Sequence, residues 1–399
     1  MISSHVKSMA YWLILAFPVL LLTVKPLSII IFVLLVFIGG YIISKEKINP
    51  LTYPPLRLFS WLTLGYFAVM TLSVVFSHEI GNDWRHLSRI SYFLFAPLVG
   101  VALVYAEVPA KKMLYHFKLG VLVAGLIALG DYIFSNGSGR FSGMYNPNTF
   151  GDIAVVMLFV ALSDVWNEDT GEYRWSLAAV VAGVTAVALS GSRGSMLAMI
   201  LLIPVLLWLA YQNGQRFQRA FVASLLMIFV LGSNLFFTKT ATARIANIDH
   251  EIHRQESSVG QRLQMYKAGW KAFLDAPVIG HGYRNANYVA SQYIDDKGIA
   301  SKIRRHSHLH NELITHMVNA GVFGVLAYIG ILLVPLLIWR RKYKANMPSN
   351  IGFLLIFGYI FLGLTHGMFG YEYEGALFVL MLGYSMCWSY LEKRSSFGL

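Results

Sequence analysis

The chain has 399 residues, of which 56% are hydrophobic and only 13% charged, with a formal net charge of +12. That balance excludes an ordinary soluble domain and describes a polytopic membrane protein. The basic excess falls in loops between apolar runs, where membrane orientation accounts for it, no nucleic-acid motif accompanies it, and the single cysteine, Cys387, excludes an internal disulfide.

A membrane-spanning helix takes about 20 apolar residues, with a range of roughly 17 to 25. By that measure helices are predicted at 9–24, 27–43, 58–76, 90–106, 113–134, 149–165, 175–190, 194–211, 219–237, 312–338, 350–366 and 373–391. The first follows Lys7 without a small-residue cleavage site and reads as a retained span. The expected fold is an all-α polytopic membrane protein of about twelve transmembrane helices. Residues 1–237 carry helices one to nine, 238–310 form a cap loop with helices, and 311–399 carry helices ten to twelve.

Lysine and arginine alternate between loops. Lys45, Lys47 and Arg57 share a side with Lys111 and Lys112, Arg216 and Arg219, Arg340, Arg341, Lys342 and Lys344, and Lys393 and Arg394. That side is expected to be cytoplasmic, with both termini inside. The acidic loop at 164–174 dissents, but acidic residues contribute little to the rule. The outer face then receives 77–89, 135–148, 190–194, 238–310 and 367–372.

The polar features concentrate on that outer face. In Gly139–Asn148 the glycines and Asn146-Pro-Asn148 suit a turn, and its amides suit sugar hydroxyls as well as a plain connecting loop. Gly191-Ser-Arg193-Gly194 is a tight turn whose arginine either snorkels or meets a partner. The segment 238–310, about 70 residues, is too long for a structureless connection. Within it Ser258-Val-Gly-Gln261 has capping-box form, Leu263, Tyr266, Trp270, Phe273 and Leu274 supply an apolar pattern, and Pro277 closes it. Arg262 thereby falls in a first helical turn, a place suited to an anion and equally to a solvated charge.

His306, His308 and His310 alternate just before the next apolar run. In extended chain they would share a face, as metal ligands do, but no carboxylate or cysteine set stands at matching spacing. Asp131, Asp152 and His116 lie at the edges of apolar runs, where interfacial placement is a simpler reading than a proton path.

These motifs together resemble the bacterial O-antigen ligases. His310-Asn311 followed after nine residues by Gly321-Val-Phe-Gly324 resembles the family's histidine motif, and the Ser-Arg193-Gly turn and the Arg262-Leu-Gln-Met-Tyr helix resemble its two arginine sites, in the same order. Asn146-Pro-Asn148 is typical of the wider superfamily, which includes O-antigen polymerases and protein O-oligosaccharyltransferases. The resemblance implies a GT-C-like glycosyltransferase of the bacterial inner membrane with its active site facing the periplasm. Its substrates would be O-antigen on undecaprenyl diphosphate and a sugar hydroxyl of lipid A-core, among membrane lipids, with no metal, cofactor or nucleic acid. His310 would be the general base, and Arg193 and Arg262 would hold the diphosphate. Arg140, Asn146, Asn148, Asn311 and His308 would contact substrate, with His306 and His308 accessory to the chemistry. One departure stands out: where the family pattern has a carboxylate before the last helix this chain has His366, with Glu372 and Glu374 a few residues on. Alternatives are polymerase or protein glycosylation within the superfamily and, from another class, transport of lipid-linked sugars. The end of the chain just after its last span favours the ligase.

Overall fold

The computed structural model describes residues 4–76, 84–137, 139–213, 216–237, 257–306, 308–342 and 346–396. Among them the elements are helices: α1 Ser4–Thr23, α2 Lys25–Glu46, α3 Pro54–Val75, a 3-10 turn Trp84–Ile90, α4 Ser91–Ala106, α5 Ala110–Phe134, α6 Pro147–Ala161, α7 Thr170–Ser190, α8 Arg193–Gln212 and α9 Phe217–Phe237. There follow α10 Ser258–Asp275, α11 Ala286–Ser291, α12 Lys297–Arg304, α13 Glu312–Lys342, α14 Met347–Gly363, a 3-10 turn Met368–Gly370 and α15 Glu372–Ser396. Every apolar run predicted from the sequence is helical. Nine of the described helices are long and apolar enough to cross a membrane, while α6 and α14 are shorter apolar helices. Trp12, Phe37, Leu126, Phe134 and Phe229 project outward, an apolar exterior that suits lipid and not water.

Local sequence fixes where helices begin. Prolines occupy the first turn of α2, α3, α6 and α14, where a missing N–H costs nothing. Asn146, Asp169, Ser192 and Asn346 cap α6, α7, α8 and α14 with their side chains.

One end of the bundle gathers the segments around 107–111, 164–169 and 216–219. Lys118 and Glu168 form a buried ion pair there; the carboxylate also accepts from Ser176 Oγ at 2.8 and 2.7 Å, and Arg216 Nη1 donates to the Glu168 carbonyl at 3.0 Å. Within the acidic loop that dissents from the charge pattern, Glu168 is thus paired with Lys118, and Arg216 holds its backbone. The opposite end gathers the N-termini of α6, α8, α13 and α15.

Helices α10 to α12 build a second apolar cluster, separate from the bundle core. Met265, Ala268, Ala272, Ala286, Val289, Ala290, Ile299 and Ile303 bury themselves together with Leu309 and Val318 of the following chain. The expected cap is therefore helical over 257–306; its part at 238–256 lies outside the described residues. Two expectations for α10 are corrected. Ser257, not Ser258, is the cap, its Oγ accepting from Gly260 N at 2.9 Å. The buried stripe is Met265, Ala268 and Ala272, whereas Leu263, Trp270 and Leu274 are exposed. The sequence holds two apolar stripes: the one made of small residues packs against α11 to α13, and the bulky one faces outward, as in helices lying on a bilayer surface.

The expected continuous helix at 312–338 is kinked. Ala320 and Gly321 leave helical geometry, Gly321 at φ +60°. The freed backbone pairs with the chain leaving α10: His281 N to Val318 O at 2.8 Å, Gly282 N to Asn319 O at 2.9 Å and Val322 N to Pro277 O at 2.8 Å. A Cβ on Gly321 would stand 2.4 Å from the Val278 carbonyl oxygen, so only glycine fits the break.

Candidate active site

The helix N-termini meet at a cluster of histidines and carboxylates. From α6 comes Asp152, whose Oδ1 accepts from Ser195 Oγ of α8 at 2.5 Å. From the turn after α14 comes His366, with Nδ1 3.7 Å from Asp152 Oδ2 and Nε2 3.7 Å from Oε1 of Glu374 in α15. Asp152, His366 and Glu374 are 2%, 4% and 0% exposed, so Asp152, near the start of α6 as expected, is enclosed among protein side chains. Asp131 and His116 take no part; His116 is exposed and its Nδ1 lies 2.8 Å from the Lys112 carbonyl.

His308 and His310 reach this cluster from the segment entering α13. The His308 ring is 4.3 Å from His310 and 4.7 Å from His366, centroid to centroid, and its Nδ1 lies 3.4 Å from the Tyr371 hydroxyl. Asn287 of α11 donates to the His308 carbonyl at 3.1 Å. Gly367 admits the ring, since a Cβ there would stand 2.7 Å from His308 Cγ. His366 stacks on Tyr371 at 5.3 Å with rings 17° apart. His306 is half-buried, 5.3 Å from His310.

His310 is the strained member. Its φ of +52° is in the left-handed region, costly for a side-chain-bearing residue and tolerated where surroundings impose it. Tyr266 Oη of α10 donates to the His310 carbonyl at 2.9 Å, and Asn311 caps α13 by accepting from Ile314 N at 3.0 Å. His310 Nδ1 is buried and has no hydrogen-bond partner among the described residues.

Burial and the nearby Arg262 charge keep these imidazoles neutral. They push His366 down to about 3; His310 is likewise pushed to about 3 by burial, with His366, Arg262 and His306 adding to it. Burial also holds His308 well below its usual range and lowers His306. Neutral imidazole is the form that accepts a proton.

The arginines expected at the site are brought to it. Arg262, half-buried in the first turn of α10, lies close enough for its charge to act on His306, His310 and His366. Arg193 opens α8 beside Gly194, where a Cβ would stand 2.3 Å from Thr365 Oγ1, so the Arg193 turn lies against the His366 turn. Arg140 braces the neighbouring loop, donating from Nε to Ser190 O and from Nη2 to Asn148 Oδ1, each at 2.7 Å. Asn146 caps α6, accepting from Asn148 N at 3.0 Å and Thr149 N at 2.9 Å. Three of the residues expected to contact sugar, Asn146, Asn148 and Asn311, thus have side-chain oxygens engaged in shaping the site. The positive ends of α6, α8, α13 and α15 add to the arginines, a field that favours an anion.

The donor atoms for a transition metal are also present. Those of His308, His310 and His366 lie within 4.8 Å of one another, and so do those of Asp152, His366 and Glu374. The trio that gathers is not the alternating one, because His366 takes the place of His306. Sequence reading missed the roles of His366, Asp152, Glu374 and Ser195. The available signal was the ionisable residue in the turn before the last helix, which Thr365-His366-Gly367 supplies with an imidazole in place of a carboxylate.

With this geometry in view, residues 178–329 match the family model described as O-antigen ligase. That match supports membership of the O-antigen ligase superfamily. The matched stretch contains Arg193, Arg262, His308, His310, Asn311 and the Gly321 kink, while Arg140, Asp152, His366 and Glu374 of the same site lie outside it. An uncharacterized protein of Haemophilus influenzae is 23% identical over 328 residues, covering 77% of this chain and 78% of that protein. Superfamily membership and the apolar helices together describe a multi-pass membrane protein of glycosyltransferase-like type, with lipid-linked polysaccharide as the class of substrate.

Proposed function

We propose that the protein is an O-antigen ligase that moves O-antigen polysaccharide from undecaprenyl diphosphate to a sugar hydroxyl of lipid A-core on the periplasmic face of the inner membrane. The observation that carries this reading is the meeting of neutral His310 with the Arg262 charge and the Arg193 turn at one end of the bundle. In this reading His310 takes the proton from the acceptor hydroxyl as that oxygen attacks the anomeric carbon. The bond to the diphosphate breaks with its electron pair, and Arg193 and Arg262, always protonated and with planar donor forks, hold the charge that builds there. A single displacement inverts the anomeric centre. The twelve-span topology, with α10 to α12 as a periplasmic cap, belongs to the same proposal.

The test is to incubate purified protein with lipid-linked O-antigen and lipid A-core in the presence of a chelator. A ladder on the core lipid supports the ligase, and longer undecaprenyl-linked chains would replace it with a polymerase. Unchanged lipids together with protein-dependent passage of the donor across a vesicle membrane would replace it with a transporter.

A further inference from the structure

We infer that Asp152, His366 and Glu374 form the proton-accepting end of a relay, His310 to His308 to His366, that removes the acceptor's proton from the reaction centre. The inference rests on the reading of His310 as the base. Asp152, His366 and Glu374 act through His310 and are positioning residues, not catalytic ones.

His310 is well placed to take a proton and badly placed to keep it. Burial, His366, Arg262 and His306 all disfavour its imidazolium form, and at the end of each transfer the positive charge must go elsewhere or the next deprotonation is blocked. The chain supplies a route. His308 lies between the other two rings at 4.3 and 4.7 Å, and donor atoms of all three fall within 4.8 Å, a span closed by one water or a small ring rotation.

The route ends on two carboxyl groups. Asp152 Oδ1 is occupied by Ser195, but Asp152 Oδ2 and both Glu374 oxygens are buried with no hydrogen-bond partner among the described residues. Buried oxygens left in that state are costly, and two of them, Asp152 Oδ2 and Glu374 Oε1, each stand 3.7 Å from a His366 nitrogen. A proton shared among the three residues relieves both carboxylates. His366 stays neutral at rest and passes the proton through; a carboxylate holds it. Other charged or titratable groups facing the relay are Arg262 from α10, His306 from the entering loop, Arg284 from the turn before α11, Glu312 from α13, Tyr359 from α14 and Tyr371 from the turn before α15.

The step balances. The acceptor O–H bond breaks, the new C–O bond forms and the sugar–diphosphate C–O bond breaks with its electrons. The proton goes to His310, then His308, then His366 and its carboxylates, and finally to solvent.

The experiment compares the full-length protein with Asp152→Asn, Glu374→Gln and the double variant in the lipid-linked transfer assay, recording kcat, KM for each substrate and the pH profile. Each single variant is expected to lower kcat by about 10²-fold with KM unchanged and the acid limb of the profile displaced. The double variant is expected to lose little more, because the two share one proton. Asp152→Asn keeps the acceptor for Ser195 and carries the test if Glu374→Gln fails to fold. Normal kcat and an unmoved pH profile in folded Asp152→Asn would overturn the relay. So would zinc bound stoichiometrically by wild-type protein and lost with activity on chelation. His310→Asn separates the two readings: active His310→Asn removes the base itself, whereas inactive His310→Asn beside normal Asp152→Asn removes only the relay.

Discussion

Tyr266 Oη lies 2.9 Å from the carbonyl oxygen of His310 and 3.1 Å from that of Leu364, its one proton shared between the two acceptors. Tyr266 stands one helical turn beyond Arg262, so a single phenol fixes the cap helix, the His310 backbone and the turn carrying His366 relative to one another. Tyr266→Phe keeps the ring and removes that shared hydrogen bond, worth about 1 kcal/mol. The expected outcome is a lower melting temperature and a fall in kcat larger than any change in KM. An unchanged kcat would show that the left-handed His310 backbone holds itself.

Arg193→Lys and Arg262→Lys retain charge but replace a planar fork by a point charge. Each variant is expected to insert and fold and to lose about 10²–10³-fold in transfer rate. Normal rates from both would remove the diphosphate role.

The neutral histidines make stability fall in acid. His310 and His366 titrate near 3 in the folded protein and near ~6.5 when unfolded. Above the unfolded value both states are neutral and pH has no effect through them. Between ~6.5 and about 3 the unfolded chain binds protons that the folded protein refuses, so stability drops by up to about 1.4 kcal/mol per pH unit for each histidine. His310→Asn, whose side chain tolerates the left-handed region, is expected to flatten the slope between about pH 6 and about pH 5. Thermal melts in detergent at several pH values measure this, and parallel slopes would contradict it.

Gly321→Ala places a methyl against the Val278 carbonyl at a backbone angle unfavourable to alanine. The break in α13 would shift, and with it the pairing to Pro277, His281 and Gly282. We expect destabilisation of about 1–3 kcal/mol and loss of transfer, whereas Gly330→Ala in the same helix, with open space around it, should be silent.

Orientation can be read with a cysteine at exposed Gln292 and another at exposed Asn49, in a Cys387→Ser background. In intact spheroplasts an impermeant thiol reagent is expected to reach the first and not the second. The reverse pattern would move the site to the cytoplasmic side and end the ligase reading.

How much of this was legible follows from what each residue advertises. Apolar runs of membrane length marked every long helix, and motif order pointed to Arg193, Arg262 and His310. Asp152 and Glu374 carried no local signal: a carboxylate near a helix start reads as interfacial, and only the packing of α6 against α8 and α14, and of α15 against α14, encloses them. Trp270 and Leu274 misled because bulk suggested a core, while alanine and methionine at 265, 268 and 272 made the closer packing. The break at Gly321 was hidden inside an unbroken apolar run, where hydropathy says nothing about φ.

Because the N-termini of α6, α8, α13 and α15 share one end, this architecture carries an arithmetic constraint. Gain or loss of a single span between Asn146 and Glu374 would send one of those ends to the opposite leaflet and dismantle the site, so changes there must come in pairs. The helices before Asn146 face no such rule. None of them contributes a histidine, arginine or carboxylate to the cluster described here; they meet it by packing, as where Tyr92 of α4 donates to the Phe369 carbonyl, and by bringing the first turn of α6 to the right side.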